Sequence, residues 1–183
     1  LNANPEQFPI KQQSEQGLKF NVLHIVLTPQ AIDQCGLFGS KDCYHVSVVL
    51  SPSETGNSVV QSIDVSQTYK SGPKLDHLAP YLFVKYGEPR IKYEVAGGKG
   101  FAGGGSRYYV WGGEGDLQHG AQGTVSLDKL TGKYVFAHIS QNLFNDQVSG
   151  YRLRIVDENL QSKSAEVLRS RLNSNNLPTK DPR

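Results

Sequence analysis

Methionine is absent from this 183-residue chain, even at its first position. That suits an N-terminus trimmed after synthesis, as by removal of a signal peptide. No apolar run approaches the roughly eighteen residues that a membrane-spanning helix needs. The longest, Val22–Leu27, has the length of a strand. Neither sign of charge is in excess, with nineteen Lys and Arg against seventeen Asp and Glu. Such balance lacks the electrostatic footprint of a nucleic-acid-binding or membrane-surface protein, so neither is expected as a partner. There is no Asn-x-Ser/Thr acceptor, which removes one sign of eukaryotic secretion and favours a bacterial periplasmic or secreted setting.

Cysteine is scarce. Only Cys35 and Cys43 occur, and the seven residues between them include Gly36 and Gly39. A loop of that composition can fold back and bring the two Cα atoms within disulfide range. A disulfide belongs to an oxidising compartment, so an exported protein is expected. A zinc pair would need a second cysteine pair or a histidine at finger spacing, and neither is present. No metal and no cofactor are expected.

Period-two hydrophobic alternation dominates what is there. Strands are expected over 18–27, 44–50, 58–65, 81–86, 90–95, 107–111, 123–128, 133–139 and 151–156. Clusters of Gly, Pro, Asn, Asp and Ser separate them, among them "SPSETGN", "KSGP", "YGEP" and "NDQVSG". Leu127–Tyr134 reads as a hairpin in which Gly132 can take the positive φ of a bulged turn. One helix is expected late, where Ser162 or Ser164 can cap and Ala165, Leu168 and Leu172 share a face. These elements define an all-β fold class. It is an antiparallel β-sandwich of about nine strands, jelly-roll or Ig-like, with one short C-terminal helix. Residues 1–17 read as an extended arm or first edge segment, 18–172 as a single domain and 173–183 as a flexible tail.

Eleven of the nineteen glycines fall between Gly97 and Gly123. Inside this stretch, residues 98–103 spell GxGxxG, but no helix-forming segment comes after it. A phosphate there would lack the aligned N–H groups of a helix N-terminus. "KGFA" at Lys99–Ala102 copies half of an RNA-binding motif, and glycines stand where the second half needs aromatics. No G-x-S-x-G nucleophile motif exists. His24 and His138, set in apolar runs, read as hydrogen-bonded core or near-core histidines.

What remains in the stretch are Arg107, Tyr109 and Trp111, which share one face of a strand, and Glu114, Asp116 and His119 just beyond. Turned outward, the first three make a stacking surface for a sugar or a hot-spot surface for a protein. Turned inward, Trp111 anchors the core; alternation alone leaves both open. The two carboxylates and the imidazole suit ligand contacts or acid/base work, and miss the calcium-loop consensus. Leu37 and Phe38, at the tip of the Cys35–Cys43 loop, form an apolar probe for a partner's cleft.

The expected function is a secreted or periplasmic non-catalytic binding module, adhesin-like, with a carbohydrate or protein partner. Two alternatives stand beside it. One is an enzyme inhibitor or immunity-type protein that inserts the 35–43 loop into a target. The other is a polysaccharide hydrolase or lyase using Glu114, Asp116 and His119.

Overall fold

The computed structural model describes residues 10–15, 18–26, 43–52, 58–95, 104–120, 125–142 and 147–175. The elements run β1 (Ile10–Glu15), β2 (Leu18–Val26), β3 (Cys43–Pro52), β4 (Ser58–Thr68), α1 (Leu75–Tyr86), β5 (Ile91–Val95) and β6 (Ser106–Glu114). They continue with β7 (Gln118–His119), β8 (Val125–Ser126), β9 (Thr131–Gln141), β10 (Val148–Asp157) and α2 (Glu158–Asn175). Eight strands form one antiparallel sheet in the order β1-β2-β3-β4-β10-β9-β6-β5, and β7 pairs with β8 in a separate two-stranded sheet. The chain is thus mostly β, as the alternation implies. Among the described residues, the layer packed against one face of the large sheet is a helix, and a second large sheet facing it is not seen. Within the N-terminal arm or first edge segment, Ile10–Glu15 pairs with β2 at the edge of the sheet.

Register sorts the side chains of the central strands. Along one face run the rows Val46–Val65–Leu153–Ala137–Tyr109 and Val48–Ile63–Ile155–Val135–Trp111. Along the other run Ser47–Asp64–Arg154–Phe136–Val110 and His45–Ser66–Arg152–His138–Tyr108. These rows of the first face are apolar from β3 to β6, and those of the second are apolar only towards β9 and β6. An antiparallel sheet tolerates that inequality because one face can stay wet.

Helix α1 covers the first face. Its apolar residues Leu75, Leu78, Ala79, Leu82, Phe83 and Tyr86 recur at helical spacing and pack on Tyr109, Trp111, Ala137, Ile139 and Leu153. Phe83 meets the Tyr109 ring edge-on at 5.2 Å, and Tyr86 lies 5.4 Å from Trp111. The helix stops at Gly87, whose φ of 82° suits glycine and whose N–H bonds back to the Phe83 carbonyl. The sequence pattern suggests a strand over 81–86, and this is corrected. "YLFVKY" alternates over six residues, but the helical stripe becomes visible only when 75–80 are included. Pro80 inside the helix removes one backbone donor, and burial of the stripe outweighs that loss.

The second face is capped by the glycine-rich turn after β6 and by the segment leading into β9. Leu117 and Leu130 are buried on Tyr108, Val110, Tyr134 and Phe136. The turn needs its glycines: Gly112 has φ 69°, and a Cβ on Gly115, at φ 84°, would stand 1.9 Å from the Lys129 carbonyl oxygen. Arg90 ties the turn down, donating to the carbonyls of Gly112 at 3.2 Å and Gly115 at 2.8 Å. Gly132 takes the positive φ anticipated for it, but in the strand that pairs with β6; β8 pairs with β7. The late helix is present and longer than anticipated. β10 runs straight into α2, where the Asp157 carboxylate accepts the Leu160 N–H as an N-cap. No helix among the described residues is long and apolar enough to cross a membrane.

Candidate functional site

The six residues expected to form a site divide between the two faces. Tyr109 and Trp111 are 3% and 5% exposed and sit beneath α1. The Trp111 indole donates to the Gly87 carbonyl at 2.7 Å, so its one polar atom is satisfied at the helix stop. These two rings are core, and the outward stacking surface expected of them does not form. Arg107 lies on the same face towards the sheet edge and pairs with Glu94 at 3.1 Å.

Glu114, Asp116 and His119 belong to the other side. All three are exposed. The Asp116 carboxylate accepts the N–H of Leu117 at 2.8 Å, which shapes the turn. The His119 ring lies 3.9 Å from that of Tyr93, which packs on the second face. Among the described residues no three His, Cys, Asp or Glu side chains come together as a metal site. Leu37, Phe38 and Cys35 lie outside the described residues, and Cys43 opens β3.

Two other features emerge. The first is an open cleft of about 470 Å³ on the α1 side of the sheet. Val60, Ile63, Val135 and Ile155 line it, together with Tyr86, Trp111 and Gly112. It exists because α1 is shorter than the apolar surface it lies on. In the row Val46–Val65–Leu153–Ala137–Tyr109, exposure is 3% at Tyr109, 0% at Ala137 and 7% at Leu153, and Val65 and Val46 are only half-buried. Val60, at 47%, is among the most exposed large apolar residues described. Lys133 and Asp157, paired at 3.0 Å, stand at the cleft's rim.

The second is a polar cluster on the opposite face. Arg152 grips Asp64 through Nε, at 2.9 Å to each carboxylate oxygen, and through Nη2. His138 Nε2 lies 3.2 Å from Ser106 Oγ and 3.4 Å from Ser140 Oγ, and its ring stacks on Tyr108 at 4.6 Å. Burial, and then the neighbouring Arg152 charge, hold His138 below its ordinary pKa, so the ring is neutral at pH 7. A neutral imidazole beside a serine hydroxyl has the contact a nucleophile–base pair needs. The carboxylate of this face, Asp64, is held by Arg152 and does not orient His138 as a triad acid would.

Neither feature can be read from the sequence alone. The alternation of Tyr151, Leu153 and Ile155 with Arg152 and Arg154 marks the two faces of β10. The partners of those residues, however, come from β4 and β9 and become visible only with the register. No family model, no curated protein and no solved structure matches this chain.

Proposed function

We propose that the protein is a non-catalytic binding module, exported from the cytoplasm, whose partner is a protein held in the cleft beside α1. One observation carries the reading: α1 leaves part of an apolar sheet face open as a cleft lined by Val60, Ile63, Val135 and Ile155. Uncovered apolar surface of this kind is what protein partners bury. Two more apolar side chains, Tyr81 at 63% and Val84 at 88%, are exposed on the outer side of α1 and can extend the contact. A protein partner fits better than a sugar, because the rings expected to stack on a sugar, Tyr109 and Trp111, are packed inside. The glycine-rich segment keeps a part in recognition, since Trp111 and Gly112 line the cleft.

The test is selection of peptides from a random library, followed by titration against Val60→Glu and Ile155→Glu. Selected peptides should be rich in apolar residues, and both substitutions should abolish binding while the circular dichroism spectrum is unchanged. Peptides that bind both variants as well as the parent chain would refute the cleft. Binding to a glycan panel, indifferent to both substitutions, would turn the reading back to carbohydrate.

A further inference from the structure

The polar cluster lies on the sheet face away from the cleft, and neither core packing nor the proposed binding mode makes use of it. In the register Asp64 stands directly opposite Arg154, yet its carboxylate is taken by Arg152, one row away. Arg154 makes no ion pair with any described residue. Glu158 and Asp128, which share the neighbourhood of the Tyr134 hydroxyl with Arg154, stay outside ion-pair distance of it. Among the described residues, therefore, Asp64 is ion-paired with Arg152 and Arg154 is not ion-paired.

The geometry around Arg152 is fixed. Asp64 holds the Nε side of its planar fork, which leaves the edge formed by Nη1 and the second Nη2 hydrogen turned away from that carboxylate. His138 is the residue directly paired with Arg152 on β9, and its ring is clamped between the Tyr108 ring and the hydroxyls of Ser106 and Ser140. In the next row Gly150 stands beside Ser140 and contributes no side chain. A solvated polar face accounts for serines and an arginine. It does not account for an oriented guanidinium, a second one without an ion pair among the described residues, and a half-buried hydroxyl–imidazole group. Guanidinium and hydroxyl donors carried on neighbouring rows of one sheet face are the chemistry that recognises oxyanions.

We propose that Arg152 and Arg154, with the Ser106–His138–Ser140 group, bind the carboxylate or phosphate group of a ligand. The site is independent of the cleft. Arg152 supplies a preorganised pair of donors, Arg154 a second positive charge, and the serine hydroxyls the neutral donors that fix orientation.

The test is a nuclear magnetic resonance titration of the ¹⁵N-labelled full chain with inorganic phosphate and, separately, with acetate, chloride keeping the ionic strength constant. Saturating shifts confined to the Arg152 and Arg154 side chains and the His138 ring are expected with at least one anion. Saturation by phosphate assigns a phosphate ligand, and saturation by acetate a carboxylate. Arg154→Gln leaves the Asp64–Arg152 fork in place and should weaken binding about tenfold, the worth of one charge-assisted hydrogen bond. Ser106→Ala, a second variant that leaves both arginines untouched, should weaken it less. Shifts that fail to saturate, that spread equally over surface lysines such as Lys85, or that persist unchanged in Arg154→Gln would overturn the site.

Discussion

The two faces of the large sheet meet the same requirement by different means. On the α1 face the apolar rows run from β3 to β6, and a single helix of twelve residues is laid across them. On the opposite face the buried apolar side chains lie on β6, β9 and, through Val156, the end of β10, and Leu117 and Leu130 pack on them. Beyond that patch the second face passes into Asp64, Arg152 and His138. The first does not, and an apolar cleft remains. An apolar surface that outruns its cover is a surface kept for something else, whereas a polar surface beside a cover needs only water or a ligand.

The two covers are also anchored differently, which gives the sharpest way to separate them. Trp111→Ala removes the ring on which Phe83 and Tyr86 pack and the donor that meets the Gly87 carbonyl. A loss of about 3–5 kcal/mol in urea unfolding is expected for a truncation of this size in a packed core. If the loss is below ~1 kcal/mol, α1 is not held by that ring. Gly115→Ala tests the other cover and should cost less, about 1–3 kcal/mol, because it forces a Cβ onto a positive-φ position against the Lys129 carbonyl. Its effect should be local. Amide exchange should rise around Leu117 and Leu130 while α1 keeps its protection. Equal loosening of both faces would mean that the covers are not independent.

How much of this is legible in the sequence depends on how far apart the deciding residues lie. Strands such as β4, β9 and β10 announce themselves by alternation within one window, and so do the two faces of β10. Helix α1 is hidden because its strongest six residues, Tyr81–Tyr86, alternate as well as they spiral, and because "YGEP" reads as a turn when it is a helix stop. The side of Trp111 cannot be read locally at all. Tyr108, Tyr109, Val110 and Trp111 are all buried, since both faces of β6 are covered, and a strand buried on both sides carries no alternation of burial. The Asp64–Arg152 fork joins residues 88 positions apart, and only the strand order brings them together.

The smallest expected effect concerns pH and belongs to the polar face alone. His138 is held below its ordinary value of 6.5 by burial, and secondarily by the Arg152 charge. The unfolded chain therefore binds a proton near 6.5 that the folded chain still refuses. Below that pH the unfolded state carries more protons, so the stability this group contributes is full above 6.5 and is lost as pH falls towards the folded value. The melting temperature of the parent chain should thus drop on acidification from neutrality. His138→Gln, which can keep a hydrogen bond to Ser106 without titrating, should flatten that part of the curve. The α1 face offers a control. Tyr151, pushed up to about 12 chiefly by burial, titrates far outside the window and gives no slope near neutrality. A melting curve as steep in His138→Gln as in the parent would place the acid sensitivity elsewhere and leave the His138 cluster without the electrostatic strain that burial beside Arg152 implies.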